Sequence, residues 1–305
     1  MIDRLGLYIS NNFLNFPKDA SEFGYKTDVL NGWVHFLMLI LFIFWGVIFI
    51  YIVIKFSSSN NPKASYKGMK GKFSKYAEGG VILFEIFLLF ALAIPGYYDI
   101  KFAKLDSDHD IEIRIVAQQF AWNIHYPGED GIFGKTYVDS VDADKANFIG
   151  LSLEGAGADD IMTQNNLYIP KNKRVKIRLS SMDVIHSFAL PEMRLKQDAI
   201  PGMEIPIYFT ATMSSDEFIE WLKVNDWNRY NNKADKSTKV YVAMSNDEKD
   251  FNFRGYQITC AQLCGGSHSV MRGYMWVYET ENEYIDKLIQ EREEWYSANY
   301  EEDEF

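Results

Sequence analysis

The sequence predicts a two-helix membrane hairpin followed by an all-β external domain. Three observations carry this. Residues 33–54 and 79–98 are apolar runs of 22 and 20 residues, each long enough to cross about 30 Å of hydrocarbon as a helix. Between them stand Lys55, Lys63, Lys67, Lys70, Lys72 and Lys75, with no acid before Glu78. Beyond residue 98 apolar residues recur at every second position over short stretches, as in half-buried strands.

Taken in order, residues 1–32 form an external N-terminal segment and 33–98 the hairpin. The first run starts too late and is too long for a signal peptide. A lysine-rich loop stays on the cytoplasmic side, so both chain ends face outside. Trp33, Tyr97 and Tyr98 lie at the ends of the runs, where interfacial aromatics belong. The second run is interrupted only by Glu85. The β domain occupies 99–282, with strands expected at 110–117, 174–180, 184–190, 204–210, 239–245, 256–260 and 273–280. Residues 215–227 have helical character, 231–238 read as a turn, and 281–296 as a terminal helix. Residues 283–305 are an acidic tail.

The formal charge is −11, which argues against nucleic acid as a partner and for a cationic one. Of 42 acids and 31 bases, six and nine fall in residues 1–98, so the external part carries 36 against 22, or −14. Such a field draws in a basic protein. Two cysteines are too few for a disulfide framework, and there is no C-x-x-C-H haem attachment.

Those two cysteines lie in one loop, Cys260, Cys264, His268 and Met271, spaced C-x3-C-x3-H-x2-M. Thiolate, thioether and imidazole together favour copper over hard cations. His186 supplies a second imidazole upstream. A structural disulfide uses only the thiols. Zinc would take Cys260, Cys264, His186 and His268 but leave the Met idle. A mononuclear blue-copper site would leave one Cys surplus. A binuclear site uses everything: two bridging thiolates, one His per metal, Met271 and a backbone carbonyl.

The loop, the His186 segment, residues 118–122, residues 196–202 and the hairpin together resemble subunit II of the haem–copper cytochrome c oxidases. The resemblance covers most of the chain. It implies a cupredoxin-like Greek-key barrel and a binuclear CuA centre of two copper ions. The implied ligands are His186, Cys260, the backbone carbonyl of Gln262, Cys264, His268 and Met271. The implied role is to accept electrons from cytochrome c and pass them to haem in subunit I. There oxygen is reduced to water and protons are pumped; no catalytic residue lies in this chain. A membrane-tethered copper carrier outside any oxidase is the alternative. A quinol-oxidase subunit lacks the copper ligands.

Several residues carry further expectations. The family usually has Glu where Gln262 stands, and that carboxylate also reaches magnesium. An amide is a poorer ligand for a hard dication, so no magnesium is expected. Phe120 replaces the Trp where the electron enters, Ala121 replaces a Tyr, and Trp122 is retained. Asp183 matches an acid of the cytochrome c docking patch. Glu78 matches the mouth of a proton channel into subunit I, with Glu85 the less favoured candidate. Residues 126–160 and 212–253 are longer than the family's compact form and read as insertions. The expected setting is the bacterial inner membrane, N-terminus out, with the copper domain periplasmic and other oxidase subunits alongside.

Overall fold

The computed structural model describes residues 2–14, 16–63, 71–101, 110–225 and 256–300. It divides into two compact units, Met1–Pro17 with Phe23–Asp99 and Lys18–Glu22 with Ile100–Phe305.

The first unit is helical. Helix α1 spans Ile2–Ile9 and runs into a π-turn, Ser10–Leu14. Helix α2 spans Gly24–Lys55 and α3 Phe73–Leu88, followed by a π-turn, Leu89–Ala93, and α4, Ile94–Lys101. Gly24–Lys55 and Lys75–Tyr98 are long and apolar enough to cross a membrane, with mean hydropathy 3.0 and 2.2. Helix α2 begins well before the apolar run because polar residues extend it, as where the Asn31 amide bonds the Thr27 carbonyl at 2.9 Å. The segment 1–32 is thus largely helical. Helices α1 and α2 touch at Gly6 and Gly32, where a Cβ on either would strike the other backbone. The Trp33 indole donates to the Ile2 carbonyl at 3.1 Å and packs on Phe84.

The second unit is a β-sandwich of two five-stranded sheets, ordered β3-β2-β1-β5-β8 and β4-β10-β9-β6-β7. The first sheet is built from β1 Ile111–Gln118, β2 Ala121–Tyr126, β3 Ile161–Gln164, β5 Arg174–Ser181 and β8 Ile205–Thr210. The second holds β4 Asn166–Pro170, β6 His186–Leu190, β7 Leu195–Ala199, β9 Tyr256–Cys260 and β10 Arg272–Tyr278. Both sheets feed one core around Trp122, Tyr126, Phe188, Ile177, Leu167 and Tyr256. Strands β1 and β5 alternate buried and half-buried residues as expected, while β2 is buried along its whole length. Such a strand has no period-2 signature.

Both long stretches have structure over their described residues. In 126–160, Asn147 brackets Leu151 with side-chain bonds to its N–H and carbonyl at 2.8 and 2.9 Å. Ile149, Leu151 and Met162 form a small satellite core beneath it. Over residues 212–225 the chain is not simply superficial. Helix α5, Ser215–Asn225, buries Phe218 and Leu222 completely, and Phe218 stacks on Tyr256 at 4.4 Å. The expected strand at 239–245 and turn at 231–238 lie outside the described residues. Helix α6 spans Glu281–Tyr300. Its Tyr284 and Leu288 are buried, and Glu291 accepts from the Tyr168 hydroxyl at 2.8 Å, so the acidic segment is docked over these turns.

Candidate metal centre

Strand pairing brings the two motifs together. Phe188 of β6 lies opposite Cys260 of β9, and the Ala261 N–H donates to the Ser187 carbonyl at 2.9 Å. His186 therefore sits beside the start of the loop joining β9 to β10. A 3₁₀ turn, His268–Val270, folds the loop back. The Cys260 N–H then closes it onto the Met271 carbonyl at 3.3 Å.

Six donor atoms converge. The two Sγ atoms are 3.8 Å apart. Cys260 Sγ lies 3.9 Å from His186 Nδ1 and 3.2 Å from the Gln262 carbonyl. Cys264 Sγ lies 3.4 Å from His268 Nδ1 and 3.8 Å from Met271 Sδ. The donor atoms of His186, Cys260 and Cys264 all lie within 4.8 Å of one another, a group able to hold a metal ion. The donor set divides into two: imidazole and carbonyl beside one sulfur, imidazole and thioether beside the other. Thiolate, thioether and imidazole donors would suit a soft metal such as copper, and the residues present fit such a group.

Burial, then the neighbouring Cys260 thiol, pushes the Cys264 thiol up to about 11. A metal must therefore displace protons to bind, and affinity falls as pH falls.

The surroundings orient the donors. His186 is fully buried; its Nε2 lies 2.8 Å from Asp183 Oδ1. With the proton on Nε2, donated to the carboxylate, Nδ1 keeps its lone pair facing Cys260. Burial alone would raise the Asp183 carboxyl. Bonds from His186 and from the backbone N–H groups of Gln119 and Val184 hold it below its ordinary value instead. The residue expected in a docking patch is exposed, with both oxygens hydrogen-bonded to groups of its own domain.

Gln119 is a further support of the centre. Its backbone N–H donates to Asp183 at 2.6 Å and its side-chain amide to the Cys264 carbonyl at 2.5 Å. One residue thus ties the β1–β2 turn to both halves of the cluster. Nothing local in the sequence marks it, since both partners are remote. Gly265 has φ of 142°, and a Cβ there would sit 2.8 Å from the Gln119 amide and 3.0 Å from the Phe120 ring. Phe120 is partly buried against the core. Trp122 is fully buried, edge-on to Phe188 at 5.4 Å and to His186 at 6.2 Å. The Gln262 side chain is exposed. In the helical unit, Glu78 and Glu85 are exposed, and their spacing of seven places them on one helix face.

Residues 111–216 match the family described as cytochrome C oxidase subunit II, periplasmic domain. Over these residues the β unit is similar to that family's periplasmic domain. The match ends before Cys260, so the loop is assigned from its own geometry. The chain is 27% identical over 279 residues to an alternative cytochrome c oxidase subunit 2 of Bradyrhizobium diazoefficiens, covering 90% of this chain and 82% of that one. A cytochrome c oxidase subunit 2 of Thermostichus vulcanus is 32% identical over 173 residues, 57% of this chain and 31% of its own length. A probable subunit 2 of Rickettsia bellii is 27% identical over 191 residues, and the chain spans 65% of its length. Among solved structures, the periplasmic domain of subunit II of cytochrome oxidase from Bradyrhizobium japonicum matches 63% of this chain and 99% of that one, with 20% identity and a TM-score of 0.36. Two apolar helices are followed by a two-sheet β-sandwich that resembles the cupredoxin-like subunit II periplasmic domain.

Proposed function

We propose that this chain is the electron-accepting subunit of a membrane-bound terminal oxidase, receiving electrons from cytochrome c for haem in subunit I. The observation that carries the proposal is the double donor set, which leaves no ligand surplus. Two copper ions held there would take up one electron, shared across both bridging thiolates, with little change of shape. The chain's residues do the rest. Asp183 fixes the His186 tautomer, Gln119 braces the Cys264 carbonyl, and Phe120 packs over Gly265 at the surface where a donor would approach. Trp122 supports His186 from the core. Magnesium finds no carboxylate at Gln262.

The domain boundaries fit the same role: 1–32 outside, 33–98 as the hairpin with its lysine loop cytoplasmic, and 99–282 on the periplasmic side of a bacterial inner membrane. An ionisable side chain in a span is functional by default. Glu78, at the lysine-loop end, is our choice for proton uptake toward subunit I, ahead of Glu85. Rapid mixing of the purified, copper-loaded complex with reduced cytochrome c tests the role. We expect fast bleaching of the copper absorbance, followed by haem reduction. A chain that purifies without any haem-bearing subunit would instead favour a tethered copper carrier.

A further inference from the structure

The proton role proposed for Glu78 leaves a second acid of the same helix without work. Helix α3 belongs to the segment Lys75–Tyr98, long and apolar enough to cross a membrane, and Glu85 stands near its middle. Glu85 is exposed, and among the described residues its carboxylate has no hydrogen bond or ion pair. A carboxylate turned to lipid at that depth is costly, and such groups face other protein or a water-filled cavity.

The helix shows which side is concerned. Phe84 packs on Trp33 of α2 at 6.2 Å, and Leu88, one turn on, is buried. Glu85 is one position, or about 100°, further round. It shares its face with Glu78, Ile82 and Leu89, all exposed, so the hairpin leaves this face uncovered. Isoleucine and leucine alone would suit lipid; the carboxylate between them does not. Directly beyond Glu85 the helix widens into the π-turn Leu89–Ala93. The Leu89 N–H is shared between the Glu85 and Ile86 carbonyls, so Glu85 adds a half-satisfied carbonyl to its two carboxylate oxygens. Single π-turns inside helices recur at functional sites. A set made only of acceptors calls for a donor with several N–H groups, an Arg or Lys side chain.

We propose that Glu85 is an intramembrane contact residue. The face formed by Glu78, Ile82, Glu85 and Leu89 packs on a membrane helix of the haem-bearing subunit, and an Arg or Lys of that helix pairs with Glu85. This rests on the oxidase role proposed above, in which Glu78, on the same face, is the residue turned toward subunit I. Glu85 then holds the two subunits together and takes no part in proton uptake.

The test is the haem retained per copper when the purified complex is diluted and passed through gel filtration in mild detergent. A polar contact between membrane helices is worth about a three- to thirtyfold change in association. Glu85→Leu and Glu85→Gln should both weaken retention by that order, since Gln keeps the shape but leaves the partner's cation unpaired. Glu85→Asp, which keeps the charge, should recover part of it. Leu83→Ala, on the far side of α3 and 69% exposed, should behave as wild type. Copper content, and turnover of the complex that stays intact, should be unchanged throughout. Wild-type retention in both Glu85→Leu and Glu85→Gln would overturn the proposal. Wild-type retention in Glu85→Gln alone would overturn the cationic partner. Slow turnover in a fully retained variant complex would make Glu85 a proton carrier instead. If the wild-type chain brings down copper but no haem, the oxidase reading itself fails, and this contact with it.

Discussion

Two histidines of the β domain are buried to the same degree, and their surroundings give them different work. His186 and His125 are both fully inaccessible to solvent, and each has one ring nitrogen on an aspartate, Asp183 at 2.8 Å and Asp160 at 2.5 Å. They differ at the other nitrogen. That of His186 faces the Cys260 sulfur, whereas that of His125 faces the Arg114 guanidinium at 3.5 Å. A soft donor across the ring leaves both groups able to share a metal ion. A cation across the ring leaves no place for a metal. The Asp160 carboxylate also accepts the Gly134 N–H at 2.7 Å, so the second pair pins the 126–160 stretch to the sheet. Burial and a carboxylate partner do not by themselves make a histidine functional; the third neighbour decides.

The contrast can be broken at either end. The largest effect is expected at the cluster. Cys264→Ser removes a sulfur that sits among Cys260, His268 and Met271, so binuclear copper should be lost. The thermal stabilisation conferred by copper should go with it, about 2.7 kcal/mol at a hundredfold excess over Kd. Calorimetry with and without copper measures this, and retention of the wild-type increment would mean that Cys264 is not a ligand.

At the other pair, His125→Ala should cost on the order of 3 kcal/mol by stranding the buried carboxylate, while the copper spectrum stays as in wild type. Burial, and then Arg114, hold the His125 imidazole below its ordinary 6.5, outweighing the pull of Asp160. The folded state therefore favours neutral His125. Its contribution is complete above about pH 6.5 and declines as pH falls toward the lowered folded-state value. Urea melts of the metal-free protein between pH 7 and 5 should show a loss of stability that is smaller in His125→Gln. An equal slope in the two proteins would remove His125 as the cause.

The smallest effect is expected at Gln262→Ala. Its side chain is exposed and only its carbonyl faces Cys260, so stability should stay within about 0.5 kcal/mol and copper content should not change. A marked loss of copper would bring the amide into the coordination sphere.

Much of this contrast could be read from the sequence on one side only. The cluster was legible because four donors fall within twelve residues and the chemistry of the set is distinctive. The His125–Asp160 pair was not, because its members stand 35 residues apart with no pattern linking them. The same division runs through the fold. Strands β1, β5 and β10 declare themselves by alternation. Strand β2 does not, because both its faces are covered. Strand β7, Leu195–Ala199, hides behind the polar Lys196, Gln197 and Asp198. The break between β3 and β4 is a single residue, Asn165, at φ of 62°, too slight to mark two strands. Gln119 carries no local signal, because its contacts are all distant in sequence.

The account stands most directly on the number of metal ions at the loop. Metal analysis of the purified full-length chain in its complex, combined with electron paramagnetic resonance of the oxidised protein, measures it. Two copper ions per chain in the loop, sharing one unpaired electron between them, is the result expected from a donor set that divides evenly about Cys260 and Cys264. One copper with a localised electron, or zinc in its place in copper-replete protein, would contradict it.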